Sequence, residues 1–235
     1  MKMKKNLLIF GADGALGRGV AGTLSKKDYD KINLFDPHYE KEIVIKDRIS
    51  KIKVGDLSNE ENVTRAFEAI LPSENELFFL YSTVGGFTGG KNLWDMEVGE
   101  WDKMININLK TGFLIAKHFA VIVKSSAGGS ICFTSAFTGI NPEANKSAYG
   151  VSKSGLIHLA KTLAIEGEKI NLSVNAIAPY IIDTPANREW MKDSDFSKWI
   201  KPEEIGEIAH SLFINFHLIT GNTILLKQRF NINEI

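Results

Sequence analysis

The amino-acid sequence predicts an α/β fold in which helices cover both faces of one mostly parallel β-sheet. Two observations predict this class. Short runs dense in Ile, Val, Leu and Phe alternate with longer runs of helical periodicity, and most of the short runs lack alternating polar residues. Strands of that kind are typically buried on both faces of a parallel sheet. No linker rich in Pro, Gly or Ser and no repeat divides the chain, so we expect a single domain over residues 1–235.

Seven strands and five helices are expected, in roughly alternating order. The predicted strands are residues 6–10, 31–35, 49–54, 77–83, 130–134, 173–177 and 223–226. The predicted helices are residues 15–25, 59–70, 101–124, 149–168 and 202–216. Residues 36–48 fit this pattern least well, and residues 42–46 within them are either a short extra strand or a loop.

Charge and cysteine content exclude several classes of function. The 235 residues carry 28 basic and 28 acidic side chains, so the chain lacks the positive charge expected of a nucleic-acid binder. A single cysteine, Cys132, excludes an internal disulfide framework, and the five histidines show no metal-ligand spacing. The first apolar run ends at Gly11, which is too early for a signal peptide, and no stretch approaches a membrane span. We therefore expect a cytoplasmic protein that uses no metal, membrane or nucleic acid.

A glycine-rich loop separates the first predicted strand from the first predicted helix. Glycines permit a tight turn and a close backbone approach, and a helix N-terminus presents N–H groups to a pyrophosphate. The alternative is an ordinary strand-to-helix turn, but the position directly between a strand and a helix favours dinucleotide binding. We therefore expect a doubly wound Rossmann domain with a seven-stranded sheet. Its expected phosphate-loop residues are Gly11, Asp13, Gly14, Ala15, Leu16 and Gly17.

Asp36 ends the second predicted strand, about twenty residues after the glycine loop. A carboxylate at this place can accept hydrogen bonds from the adenosine ribose hydroxyls and would repel a 2′-phosphate. No Arg or Lys adjoins Asp36 in the sequence, and Asp13 occupies a loop position where a basic residue would help NADP bind. We favour NAD(H) over NADP(H). Asp36 could instead simply begin the turn Asp36-Pro37.

Tyr149 and Lys153 are four residues apart in a predicted helix, so they lie on the same face. An unperturbed tyrosine has a pKa of about 10, and a nearby ammonium group is expected to lower it. Alone, such a pair also fits an ordinary solvated helix surface.

Together with the glycine loop, the Tyr–Lys pair resembles the short-chain dehydrogenase/reductase family, and the resemblance covers essentially the whole chain. Gly11, Ala15 and Gly17 fit that family's G-x-x-x-[AG]-x-G loop. The resemblance implies an NAD(P)-dependent oxidoreductase acting on a small molecule, with Tyr149, Lys153 and Asn108 as catalytic residues. It also implies cofactor contacts from the following residues: Asp56, Leu57, Val84, Gly85, Tyr149, Lys153, Pro179, Ile182 and Thr184. Asn108 could instead be a capping or core amide, and Thr184 a turn hydroxyl.

The chain departs from the family pattern at the substrate-binding serine, thirteen residues before the tyrosine. That position is Ala136. Ser135 is adjacent, but on a strand it should point to the opposite side unless a bulge turns it round. Loss of one donor to a developing oxyanion typically costs a hundred- to a thousand-fold in rate, about 2.7–4 kcal/mol. An ordinary ketone reductase would be slowed by this factor.

The dihydropteridine reductase branch of the family also has alanine at this position. Residues 84–90 and 183–199 resemble two segments of that branch. The resemblance implies NADH-dependent reduction of a quinonoid dihydropterin, with a substrate flap at residues 183–200. The candidate substrate contacts are Phe87, Ser135, Ala136 and Trp190. Trp190, Phe196 and Trp199 could stack on a flat ring or, equally well, pack the flap onto the domain.

Two other functions stay open. One is a short-chain carbonyl reductase or alcohol dehydrogenase in which Ser135 or Thr134 replaces the missing serine. The other is a non-catalytic NAD(H)-binding redox sensor, motivated by Ala136 but disfavoured by the presence of Asn108, Tyr149 and Lys153 together.

An apolar stripe on the tyrosine helix (Leu156, Leu159, Ala160 and Leu163), together with the apolar residues 113–123, exceeds what one core face requires. This excess, and the family resemblance, lead us to expect a homodimer or a homotetramer.

Overall fold

In the computed structural model, which describes residues 3–40, 43–46 and 48–230, an eight-stranded sheet runs through the centre of the protein. The strand order is β3-β4-β2-β1-β5-β6-β7-β8. The strands are β1 (Lys4–Phe10), β2 (Lys31–Asp36), β3 (Ile43–Lys46), β4 (Ile49–Lys53), β5 (Glu76–Ser82), β6 (Gly128–Thr134), β7 (Leu172–Pro179) and β8 (Thr223–Leu226). The seven predicted strands are confirmed, and all seven are parallel.

The eighth strand, β3, resolves the alternative left open for residues 42–46. It pairs antiparallel with β4 at the edge of the sheet, although Glu42 lies outside the described residues. Arg48 begins the return toward the sheet, and its guanidinium donates to the carbonyl oxygens of Ser25, Lys27 and Tyr29. Only seven strands therefore follow the parallel pattern, and the short edge hairpin is an addition to it.

Helices cover both faces of the sheet. They are α1 (Ala15–Leu24), α2 (Glu60–Glu68), α3 (Val98–Met104), α4 (Thr111–Lys124), α5 (Ser147–Gly167), α6 (Pro185–Trp190) and α7 (Pro202–Ile214). Buried residues of α1 and α7 form one core with the sheet, and those of α2, α4 and α5 form the other. In the apolar stripe of α5, Leu156 and Ala160 are buried in this second core, and Leu159 and Leu163 pack against it.

The predicted long helix over residues 101–124 is interrupted. A π-helical segment, Ile105–Lys110, separates α3 from α4 and contains the buried Asn108. Such π segments are frequent at functional sites, because the wider turn re-aims side chains. Hydrophobic periodicity alone does not reveal it, since the apolar pattern runs through without a break.

The strand order reverses between β1 and β5, where the chain turns from one half of the sheet to the other. In open parallel sheets, ligands bind outside the carboxyl ends of the strands at this point. The glycine loop leaves the end of β1, Asp36 ends β2, Thr83 follows β5 and Ser135 follows β6. The topology therefore gathers most of the predicted site residues along one edge.

Two glycines of α1 differ in the space around them, and this difference predicts opposite effects on stability. A Cβ atom at Gly17 would lie 1.9 Å from the carbonyl oxygen of Gly11, whereas one at Gly22 would meet nothing within 4 Å. We expect Gly17→Ala to destabilise the fold, and Gly22→Ala to stabilise it by about 0.5–1 kcal/mol through helix propensity. Urea unfolding followed by circular dichroism measures both. Equal stability of the two variants would contradict this packing.

Candidate active site

The glycine loop has the geometry of a phosphate cradle. Gly11 has a positive φ of 78°. Its N–H donates to the carbonyl oxygen of Phe35, 2.8 Å away. Helix α1 begins after Gly14 with no side-chain cap and no acidic residue in its first turn. A helix N-terminus of this kind favours an anion, so these residues fit the pyrophosphate of a dinucleotide.

The carboxylate of Asp36 holds the loop in place. It is only 2% exposed and accepts the backbone N–H groups of Asp13 and His38, each at 2.9 Å. The His38 ring lies 2.7 Å from the same carboxylate, and Arg18 pairs with Asp13 at 3.2 Å. Sequence reasoning considered only Arg and Lys residues adjacent to Asp36 in the chain. It therefore missed the His38 ring beside Asp36 and the Arg18 guanidinium beside Asp13.

Several other predicted cofactor residues have local structural roles. Leu57 is buried in the core, while Asp56 accepts the N–H of Ser58 at 2.9 Å in the turn before α2. Val84 packs against the same core. Thr83, which was not predicted, donates to the carbonyl oxygen of Gly11 at 2.8 Å and ties the end of β5 to the glycine loop.

Lys153 is a second deeply buried charged group of the site. It is 4% exposed, and its Nζ atom donates to the carbonyl oxygen of Thr134 at 2.9 Å. Burial lowers the pKa of Lys153 to about 8. Burial also raises the pKa of Tyr149 to about 12, and the charge of Glu143 adds to this rise. The expected lowering of the tyrosine pKa by Lys153 is therefore wrong for this structure, because desolvation of the phenol dominates.

Asn108 is fixed by a buried network. Its Oδ1 accepts the N–H of Gly86 at 2.9 Å, and its Nδ2 donates to the Gly86 carbonyl oxygen and to the Ser152 hydroxyl, both at 3.0 Å. A Cβ atom at Gly85 would lie 2.6 Å from the Asn108 Oδ1 and 2.8 Å from the Lys153 Nζ. Glycine at 85 thus lets the two predicted catalytic side chains approach one backbone segment.

The hydroxyl of Ser135 is engaged inside the protein. Ser135 is buried and donates to the backbone carbonyl oxygen of Lys153 at 2.9 Å. Ala136 is also buried, and both residues line the same cleft as Tyr149. The structure therefore places Ser135 beside the site without leaving its proton free for a substrate.

A cleft of about 630 Å³ opens beside Tyr149 and Lys153. Aromatic side chains form much of its wall. Phe87 meets Tyr149 edge to face at 5.0 Å between ring centroids, and Trp190 lies 5.9 Å from Phe87. Residues Pro179 and Ile182 also line it, from the segment after β7. The cleft therefore offers flat apolar surfaces next to the tyrosine hydroxyl.

The predicted flap begins with a capped helix. The Thr184 hydroxyl oxygen accepts the N–H of Asn187 at 3.3 Å and so caps the N-terminus of α6. Asp183 forms a two-fold ion pair with Arg188, at 2.5 and 2.8 Å, and this hydrogen bonding lowers the pKa of Asp183.

The three aromatic residues of the flap divide between the two predicted roles. Trp199 is buried and lies 4.7 Å from the Phe196 ring, whereas Trp190 is exposed and lines the cleft. Phe196 and Trp199 thus pack the flap, and only Trp190 faces the cleft.

Sequence reasoning missed a polar cluster on the opposite wall of the cleft. Glu143 accepts hydrogen bonds from Thr138 and from Lys146, the latter at 2.9 Å. Burial opposes ionisation of Glu143, but these hydrogen bonds outweigh it and lower its pKa. The three residues are not part of any short motif, so only their position in the fold reveals them.

A phosphate cradle, a buried acid at the end of β2 and a Tyr–Lys pair beside a cleft together define a dinucleotide-dependent oxidoreductase. The comparison with family models identifies the family: residues 5–195 match the short chain dehydrogenase family. The chain belongs to this family and is an NAD(P)-dependent oxidoreductase.

Individual relatives differ in the substrates their names state. The chain is 29% identical to a dihydropteridine reductase of Dictyostelium discoideum, covering 90% of this chain and 87% of that protein. It is 27% identical to an acetoacetyl-CoA reductase of an Acinetobacter strain, with 79% and 77% covered. Among solved structures, ElxO with NADP bound has a TM-score of 0.79 at 23% identity, covering 96% and 98%. This last similarity concerns the fold alone.

Residues 3–40, 43–46 and 48–230 contain no group of three or more His, Cys, Asp or Glu side chains placed to hold a metal ion. Within the same ranges, no helix is long and apolar enough to cross a membrane.

Burial of Lys153 predicts a pH-dependent stability. Its folded pKa of about 8 lies below the ordinary value of 10.5, so between these values the unfolded chain binds a proton that the folded chain does not. The stability of the wild type should therefore rise with pH across this window, relative to Lys153→Met, by about 3 kcal/mol.

Urea unfolding of wild type and Lys153→Met between pH 7 and pH 11 measures this difference. Lys161→Met removes an exposed lysine from the same helix and is the matched control. Its difference from wild type should not change across the window. A difference for Lys153→Met that is equally flat would contradict the buried ammonium.

Proposed function

We propose that the chain is an NADH-dependent reductase of a quinonoid dihydropterin-like substrate, with Tyr149 as the proton donor. One observation carries the proposal. The hydroxyls at the end of β6 all donate within the protein: Thr134 to Ser82, Ser135 to Lys153 and Thr138 to Glu143. A carbonyl substrate would lack the usual serine donor, at a cost of about a hundred- to a thousand-fold in rate. An electron-poor conjugated ring needs less polarisation.

The proton chemistry belongs to residues of this chain. With a pKa of about 12, the phenol of Tyr149 holds its proton at neutral pH, and its transfer to the substrate requires that the resulting phenolate be stabilised. The ammonium of Lys153 would bind ribose hydroxyls and stabilise the phenolate after transfer. Asn108 fixes Gly86 and Ser152, and so shapes the backbone around both groups. A bound nicotinamide would supply the hydride.

The cofactor is proposed to lie along the carboxyl edge of the sheet. The glycine loop, Gly11 to Gly17 with Asp13, Gly14, Ala15 and Leu16, would hold the pyrophosphate, and Asp56 and Leu57 the adenine. Val84, Gly85, Pro179, Ile182 and Thr184 would surround the nicotinamide riboside. NADH is preferred over NADPH because a 2′-phosphate would face the carboxylate of Asp36, which is buried at the end of β2 and accepts the backbone N–H of Asp13.

Two alternative functions have weaker support. Similarity to an acetoacetyl-CoA reductase favours a carbonyl substrate. Reduction of a carbonyl would need a free hydroxyl from Ser135, which donates to the Lys153 carbonyl oxygen instead. A non-catalytic redox sensor would have no use for the buried group of Asn108, Tyr149 and Lys153.

We propose that the enzyme is a cytoplasmic homodimer or homotetramer of single-domain subunits. Phe113 and Val121 on α4, and Val151 and Ile165 on α5, are exposed although apolar. These side chains, rather than the stripe that packs in the core, are the proposed contacts between subunits.

Oxidation of NADH with chemically generated quinonoid dihydropterin tests the proposal. We expect rapid turnover with NADH, slower turnover with NADPH, and a loss of at least about a hundred-fold in Tyr149→Phe, because the proton donor is removed. The assay follows absorbance of the reduced cofactor, with a panel of simple ketones run in parallel.

Ser135→Ala is the matched control, since it also removes one hydroxyl beside the cleft. Its pterin turnover should fall far less than that of Tyr149→Phe, because it loses a hydrogen bond that positions α5 and not the proton donor. Ketone reduction that collapses in Ser135→Ala, together with no pterin turnover in wild type, would instead support the carbonyl reductase.

A further inference from the structure

The wall of the cleft carries a carboxylate that the proposed mechanism does not use. Glu143, Lys146 and Thr138 line the same cleft as Phe87 and Tyr149. Glu143 lies close enough to Tyr149 for its charge to contribute to the raised pKa of the phenol. A negative group beside the reacting hydroxyl opposes anionic substrates and favours ligands with N–H donors.

Glu143 keeps accepting capacity after its protein contacts are made. A carboxylate has two oxygens with about four acceptor positions, and Thr138 and Lys146 each occupy one. Both Glu143 and Lys146 are about one-quarter exposed, so a ligand can reach them. The ammonium of Lys146 has three N–H donors and uses one in its hydrogen bond to Glu143. The pair therefore presents an acceptor and a donor side by side.

The segment that carries this pair is fixed in position. Asn145 has a positive φ of 63°, and its carbonyl oxygen accepts the N–H of Gly90 at 2.8 Å. A Cβ atom at Gly89 would lie 2.8 Å from the Phe87 ring and 3.1 Å from the Asn145 oxygen. The carboxylate and the aromatic wall are thus parts of one packed unit, which lowers the entropic cost of binding a ligand.

We propose that Glu143 and Lys146 recognise the edge of a fused 2-amino-4-oxopyrimidine ring, a deepening that rests on the proposed pterin reductase. The two neighbouring N–H donors of that edge, the ring N–H and the amino group, match the carboxylate of Glu143. The adjacent ring carbonyl matches the ammonium of Lys146. The flat body of the ring lies against Phe87 and Trp190. Hydrogen bonds to an ionised acceptor are the strong ones, so the pair selects among heterocycles of equal size.

Binding of two oxidised rings to the enzyme saturated with NAD⁺ tests this recognition without turnover. Pterin has the 2-amino group, and lumazine has a carbonyl oxygen in its place. Calorimetry should show wild type binding pterin about 10- to 100-fold more tightly than lumazine, because lumazine sets an oxygen against the carboxylate. Glu143→Gln should abolish this preference. Lys146→Met should weaken both rings alike, since both have the 4-oxo group.

Glu166→Gln removes an equal charge from the exposed face of α5 and should keep the full preference. A preference that survives in Glu143→Gln, or a wild type that binds neither ring, overturns the inference. Pterin turnover with an unchanged preference would overturn it while the proposed function stands. Absence of turnover, with a preference that depends on Glu143, would instead leave the recognition intact and refute the reductase.

Discussion

The hydrogen bond from the Lys153 ammonium to the carbonyl oxygen of Thr134 is the contact around which the site is organised. A buried charge must be compensated, and here a strand end provides the acceptor. Neighbouring residues make room for the lysine: a Cβ atom at Gly85 would lie 2.8 Å from its Nζ, and one at Gly139 would lie 2.9 Å from its backbone. Ser135 then binds the lysine carbonyl oxygen, so helix α5 is joined to β6 through both ends of one residue.

Burial shifts the pKa values of the two members of the Tyr–Lys pair in opposite directions. Burial favours the neutral form of each group, which lowers the pKa of Lys153 and raises that of Tyr149. Tyr149 therefore holds its proton at neutral pH and can give it up only where the phenolate is stabilised. The same engagement of Ser135 that supports the lysine removes the hydroxyl a ketone would need. Under the proposed function, this one hydrogen bond both supports the lysine and withholds a donor from a ketone substrate.

The sequence predicts the parts of the molecule that depend on local pattern. The seven parallel strands, the glycine loop and the helix of Tyr149 and Lys153 follow from apolar periodicity and residue spacing, and the structure contains them. The π-helical segment at Asn108, the edge strand β3 and the partners of Asp36 depend on contacts between distant segments. Glu143 is the clearest example, because it belongs to no short sequence motif and only the fold brings it to the cleft wall. The direction of the tyrosine pKa shift also required burial, which spacing does not give.

The central claim is that this one cleft joins the cofactor, the Tyr–Lys pair and the substrate. A crystal structure of the chain with NADH bound tests it most directly. The account predicts the pyrophosphate at the N-terminus of α1 and the nicotinamide riboside in the cleft, with a ribose hydroxyl within hydrogen-bond distance of the Lys153 Nζ and the nicotinamide beside Tyr149. Nicotinamide located away from both side chains, with the pyrophosphate correctly placed, would contradict it.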